Sequence, residues 1–464
     1  MAAVIVAAAF ATGPVALALI VAGGAAFALC AVRFEPAALL SLAIAGAMFS
    51  GFGANLGLPI SPDRPLFALA LGAAFTGLPF GDTDRPRLRW RPVHTWMIAT
   101  VLMVVALGTT NDSWSIDVAI FALLDRLGVV PFLAFSIAPL LFRDDRQRAW
   151  LTGVMVGCGW YLSITAILEG FGQRSLVWPA YINDPSIGLH FERARGPFVE
   201  STGMGLSLLG CYACAVVAVF TWRRTGPRVL AALLLPTALL GMLFTLTRAV
   251  WLAAIVSSAV GILMHPRARR YTVHLGLAGV MVVLLALVTV PGLSDAVTER
   301  RNERVAVWDR FNSNEAAIQA FADKPLTGIG WGLFAKRSDP YLWQSDSYPL
   351  TGHRIEVHNV LLSRLAEIGL LGTVPWLLTL AVGLGRSVLR PGPAELEPWR
   401  LGLAMFGSAW ATMGAFGPIS TALPNLLLWT MGGVVSAPYL VQTGQAAVAT
   451  ARRTRTPLAV AVAT

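Results

Sequence analysis

Val357-His-Asn-Val-Leu-Leu-Ser-Arg-Leu-Ala-Glu-Ile-Gly-Leu-Leu-Gly372 closes the longest polar segment of a chain that is otherwise soluble in lipid. From Pro291 to Glu356 the residues are rich in Arg, Asp, Glu, Gly and Trp. The quoted stretch then returns to an apolar helix, with His358 and Asn359 at its lip and the stripe Leu361, Leu365 and Leu370 along one side. A bundle of membrane helices can hold a polar loop of this size rigidly at the membrane surface. The junction of loop and helix is where chemistry at that surface is expected.

Outward from this junction the class is fixed by composition. Hydrophobic residues make up 56% of 464 and charged residues 13%, and the mean hydropathy is +0.66; this is an integral membrane protein. Apolar runs of roughly 17–25 residues recur, the length that crosses about 30 Å of hydrocarbon as a helix. They lack the alternation of a membrane barrel, so the fold class is all-α. Expected spans are 37–54, 66–80, 95–110, 127–142, 149–170, 199–221, 229–246, 249–264, 272–290, 358–383, 401–418 and 422–440. Residues 1–31, broken near Gly13-Pro14 and without a basic leader, add a retained span, for about twelve or thirteen in all.

The formal charge of +10 comes from 35 basic residues, of which only Lys324 and Lys336 are lysine. Much of it lies in short inter-helix clusters, at 85–91, 143–148, 223–228, 267–270, 386–400 and 452–455. That distribution is positive-inside anchoring and not nucleic-acid binding. With those clusters in the cytoplasm, 171–197 and 291–357 fall on the outer face. The organisation is then 1–290 as helices with short loops, 291–357 as one large extracytoplasmic loop, 358–440 as the last helices and 441–464 as a cytoplasmic tail.

Cys30, Cys158, Cys211 and Cys214 all fall within expected spans and read as small apolar packing residues, with no disulfide or zinc site. There is no internal repeat, Walker A loop, dinucleotide fingerprint or HExxH. Candidate site residues cluster instead at the outer boundary. Arg193 and Arg195 precede Gly196-Pro197 at a helix entrance, where backbone N–H groups add to the field felt by an anion. Arg248 sits between two spans with almost no loop, a costly place for a cation unless it meets water, a partner or a ligand. Arg304 and Trp308 share a face if their segment is helical. Gly328, Gly330 and Gly332 alternate, a sign of a turn with close backbone approach.

The ordered series Thr247-Arg248, Arg304-x-x-x-Trp308, Pro325-Leu-Thr-Gly-Ile-Gly-Trp-Gly-Leu-Phe334, His358-Asn-x-x-Leu361 and Glu367-x-Gly369-x-x-Gly372 resembles the O-antigen ligase and polymerase superfamily, best from about 190 to 375. The resemblance implies a multi-spanning glycosyltransferase of the GT-C kind in the bacterial cytoplasmic membrane, with its active site on the outer, periplasmic face. It would use no nucleotide sugar, no cofactor and no obligatory metal. The implied donor is a glycan on undecaprenyl diphosphate. The acceptor is a lipid A–core sugar in the ligase branch, another repeat unit in the polymerase branch, and a protein in a third. The family's arginines map onto Arg195, Arg193, Arg248 and Arg304 and its essential histidine onto His358, with Asn359, Glu367 and Trp308 in support. His353 stands close to His358, and basic residues crowd 300–304.

These residue types suit that chemistry on their own terms. Arginine keeps its charge in a poorly solvated site, and its fork matches phosphate oxygens. Histidine titrates near working pH and can take a proton from a hydroxyl. A transporter or lipid flippase also needs many spans and buried charge, but no repeat relates the halves here and the polar residues gather at one face rather than at mid-membrane. A structural scaffold has no use for recessed arginines.

Overall fold

The structure is a computed structural model that describes residues 35–52, 54–58, 60–76, 86–115, 117–270, 272–290, 292–302, 305–342 and 356–442. The expected span at 1–31, Cys30, Arg304, His353 and the tail from 443 lie outside the described residues. What is described is all-α. The main helices are α1 (Pro36–Gly46), α2 (Asp63–Thr76), α3 (Pro92–Thr110), α4 (Ala119–Leu141), α5 (Asp145–Gly170), α6 (Ser201–Thr221) and α7 (Thr225–Phe244). They continue as α8 (Arg248–Met264), α9 (Thr272–Thr289), α10 (Leu293–Asn302), α11 (Val305–Asp323), α12 (Val360–Leu389), α13 (Glu397–Phe416) and α14 (Ala422–Leu440).

A helix occupies each of the twelve expected spans from residue 37 onward. Among the described residues, six helices are long and apolar enough to cross a bilayer: α3, α4, α5, α6, α7 and α12. Two apolar helices, Pro36–Phe49 and Arg248–Met264, are shorter. The protein is therefore a polytopic membrane protein. The polar segment is less of a loop than its composition suggests, because α10 and α11 take up its first half. In α11 the small residues Ser313, Ala316, Ala317 and Ala320 are buried at helical spacing, and that stripe packs on α12.

The core centres on α6, which packs against α5, α7 and α13. Its glycines allow close approach: a Cβ on Gly205 would lie 2.3 Å from Val250, and one on Gly210 would lie 2.8 Å from Leu427. Cys211 and Cys214 are fully buried in this helix and, with Cys158, are free thiols, as packing residues should be. Strand is confined, among the described residues, to one ladder: β1 (Arg87–Leu88) pairs antiparallel with β2 (Val441–Gln442). It ties the approach to α3 to the end of α14.

Helix direction sorts the bundle into two ends. α6 begins at Ser201, α12 at Val360 and α14 at Ala422, all close to the junction identified from sequence. The other ends of α12 and α14 meet β1 and the start of α3.

Candidate active site

At the junction end, a carboxyl group from inside the protein shapes the loop between α5 and α6. Glu169, in the last turn of α5, is buried and accepts the backbone N–H groups of Arg195 (3.2 Å) and Gly196 (2.9 Å). Gly196 has φ +50°, and a Cβ there would meet Met204 at 2.6 Å, so the turn requires glycine. The sequence suggests that these N–H groups strengthen an anion site. In the structure the group they hold is the protein's own Glu169 carboxyl.

Arg195 departs from its expected role for a related reason. It is fully buried, and its guanidinium donates to the carbonyls of Ile182 (2.8 Å), Asp184 and Ile187 while lying over the Phe191 ring at 4.7 Å. Arg174, which carried no sequence signal, covers the same ring at 4.1 Å and donates to the Phe191 carbonyl. Both cations donate to loop carbonyls; Arg174 also lies 3.4 Å from the Glu169 carboxylate, and Arg195 Nε is buried without a partner among the described residues. Arg195 therefore frames the loop instead of facing a ligand.

Two residues earlier, Arg193 belongs to a different environment. The Ala194 N–H donates to the Phe244 carbonyl at 3.1 Å, and this stitches the loop to the tight hairpin before Arg248. That hairpin turns through Leu246 at φ +47°, and the Thr247 hydroxyl donates to Ser201 Oγ at 3.1 Å. Arg193 is buried with its Nε 3.3 Å from the Glu192 carboxylate. Arg310, on α11, completes a cationic group with Arg193 and Arg248. Burial first, then the charges of Arg248 and Arg193, lower the Arg310 pKa. Burial also lowers that of Arg193, with Glu192 opposing and Arg248 adding to the effect. Arg310 Nε is buried without a hydrogen-bond partner among the described residues. Three like charges from three separate chain segments thus sit close enough to disfavour one another, and an anion would relieve them.

His358 adjoins this group. Its Nδ1 is 3.5 Å from Ser313 Oγ, one helix turn beyond Arg310 on α11, and its ring hydrogen-bonds the backbone of Glu356. Burial, followed by the Arg310 charge, lowers its pKa from the ordinary imidazole value; Asp309, Glu356 and the backbone bond act in the opposite sense. The ring is therefore neutral at neutral pH and able to accept a proton. Arg126, from the π-helical stretch Ala122–Leu127 of α4, pairs with Glu356 at 3.0 Å and donates to the Ser420 carbonyl at 3.1 Å. Ser420 in turn donates to Glu200.

The expected supporting residues hold backbone. Asn359 caps α12 by accepting the Leu362 N–H at 3.1 Å, and it donates to the Ala415 carbonyl at 3.3 Å. Glu367 is buried, 3.7 Å from Arg364, and accepts the Phe334 N–H at 3.4 Å. Gly328, Gly330 and Gly332 all have positive φ, and the turn they form docks on the break in α12 at Gly369 (φ 55°). A Cβ on Gly328 would lie 2.4 Å from the Glu367 backbone, and one on Gly369 would lie 2.4 Å from that of Leu326. Trp331 is fully buried and donates to the Ala119 carbonyl at 2.8 Å. Trp308 is half-buried on α11, two residues before Arg310. Among the described residues no group of three or more His, Cys, Asp or Glu side chains could hold a metal ion.

Of the expected residues, then, the structure brings together Arg193, Arg248 and His358 and turns Arg195 away. It adds Arg310, which sequence reasoning missed because the charge run at 299–304 drew attention first. A signal existed: Arg310, Ser313 and Ala317 are three and four apart, so the buried stripe of α11 leads back to Arg310.

Residues 231–377 match the O-antigen ligase family (Wzy_C: O-Antigen ligase). The match runs from α7 to α12 and includes Arg248, Arg310, His358, Asn359 and Glu367. No curated protein matches the chain. The match supports the O-antigen ligase superfamily already indicated by the motifs and indicates a membrane enzyme of ligase or polymerase type.

Proposed function

With an O-antigen ligase segment as premise, we propose that this chain is a glycosyltransferase that moves a glycan en bloc from undecaprenyl diphosphate to a lipid A–core sugar, or a similar acceptor, on the outer face of the cytoplasmic membrane. His358 takes the proton of the acceptor hydroxyl. The hydroxyl oxygen attacks the anomeric carbon, the bond from that carbon to the phosphate oxygen breaks, and undecaprenyl diphosphate leaves with the electron pair. Arg193, Arg248 and Arg310 hold the diphosphate and stabilise the charge that grows on it, electrostatic work of a kind that often dominates catalysis. Arg304 enters this reading through the resemblance alone.

The observation that carries the proposal is the cationic group of Arg193, Arg248 and Arg310 beside a neutral imidazole. A second feature fits a lipid-borne donor. An apolar groove of about 320 Å³, lined by Tyr161, Ile164, Leu168, Leu176 and Trp178, runs along α5. Two residues before the lining residue Leu176, the Arg174 guanidinium reaches the Arg193 backbone carbonyl at 3.4 Å, which links this segment to the one that carries Arg193.

The test is transfer by purified protein in detergent, supplied with a polyprenyl-diphosphate glycan and an acceptor, with no gradient. A transporter would consume no donor. The glycan phenotype of a deletion separates the branches: loss of all long chains from surface lipid indicates a ligase, and single-repeat products indicate a polymerase. Reporter fusions that place residue 340 in the cytoplasm would overturn the outer-face assignment.

A further inference from the structure

We propose that the end of the bundle opposite His358 carries a binding site for the phosphate headgroup of an anionic membrane lipid, formed by Arg91, Arg386 and Arg390 around Tyr439. The site is remote from the junction. α12 runs for 30 residues from Val360 to Leu389, up to about 45 Å at the rise of an α-helix.

Three guanidinium groups surround one phenol ring, with Arg91 4.2 Å, Arg390 4.4 Å and Arg386 5.1 Å from its centroid. A ring has two faces, so attraction to the ring cannot explain all three. Arg386 and Arg390 are also four apart on the helix surface, where like charges repel. Arg91 is fixed, since its Nε–H donates to the Tyr439 carbonyl at 3.1 Å and the β1–β2 ladder holds its segment. The other two are exposed, and among the described residues no carboxylate lies within 4.0 Å of any of the three. A phosphate placed between them offers bidentate acceptors and cancels the repulsion.

Apolar neighbours favour a lipid over a soluble phosphate. Leu389, between the two exposed arginines, is 84% exposed, and Trp90, beside Arg91, is 65% exposed. Large apolar side chains next to clustered arginine suit a molecule with acyl chains below its headgroup.

Native mass spectrometry of the purified full chain, titrated with phosphatidylglycerol, phosphatidylcholine or inorganic phosphate, tests this. Phosphatidylglycerol should bind in preference to phosphatidylcholine. Arg386→Gln with Arg390→Gln should weaken its binding about 30-fold, while Arg223→Gln with Arg224→Gln, removing the same charge from another exposed pair at that end, should not. If the double variant fails to fold, Arg390→Gln alone should weaken binding about 5-fold. Equal loss in both double variants would mean diffuse surface charge and overturn the site, as would undiminished binding by Arg386→Gln with Arg390→Gln. Displacement of the lipid by inorganic phosphate at comparable concentration would overturn the lipid assignment.

Discussion

The loop between α5 and α6 and the α11–α12 junction both bring arginine to the candidate site, and they treat it differently. In the loop, the terminal guanidinium nitrogens of Arg195 and Arg174 donate to backbone carbonyls while both cations lie over a phenyl ring, although Arg195 Nε is buried without a partner among the described residues. At the junction, Arg310 is coupled to Arg193 and Arg248 and keeps a buried Nε without a partner among the described residues. One residue type thus meets backbone carbonyls in one region and other cations in the next. The deciding factor is whether the local backbone turns its carbonyls inward.

The largest effect is expected from His358→Ala. It should lower transfer by about 10²–10⁴ while the purified protein keeps the wild-type melting profile. Near wild-type transfer would remove the catalytic assignment and leave a fold without this mechanism. Arg310→Ala comes next. Loss of one positioned cation should reduce kcat/KM on the order of 10²-fold, with Arg310→Lys recovering only part, because a lysine lacks the fork. Arg195→Ala should do the reverse: about 2–4 kcal/mol of stability is lost with its buried charged hydrogen bonds, while activity per folded molecule is retained. If Arg195→Ala melts like wild type yet transfers nothing, the contrast between the two regions collapses.

The smallest effect is on pH. The free imidazole titrates near 6.5, and the folded His358 ring titrates lower. The acid limb of kcat/KM should therefore fall below that value, and Arg310→Ala should move it upward, since Arg310 helps to lower it. The sign for stability is the same. Between the folded and unfolded pKa the unfolded chain binds more protons, so the His358 contribution is complete above about 6.5 and is lost as pH falls toward the folded pKa. A limb unmoved by Arg310→Ala would separate the two residues.

Helix positions were legible because apolar runs and Arg clusters mark spans one by one. The polar interior of the last helices was less so: Asn425 and Trp410 join a network at the junction end that dilutes their apolar character. Arg248 and Arg193 could be read from their cost in an apolar setting, and His358 and Asn359 from their place at a helix start. The difference between Arg193 and Arg195 could not be read, since it depends on where the carbonyls of residues 182–187 point after folding. Glu169 was equally hidden, because a single acidic residue at a helix end says nothing of the turn it will hold.

The interlock at Gly328 and Gly369 has a mechanical meaning. Four backbone bonds cross it, from Ile329 to Ala366, Gly330 to Glu367, Leu370 to Pro325 and Leu371 to Leu326. The glycine turn is thereby spliced into the helix that His358 opens, and it cannot lift as an independent flap. Amide exchange across 325–334 and across 366–371 should then proceed at one rate, as a single cooperative unit.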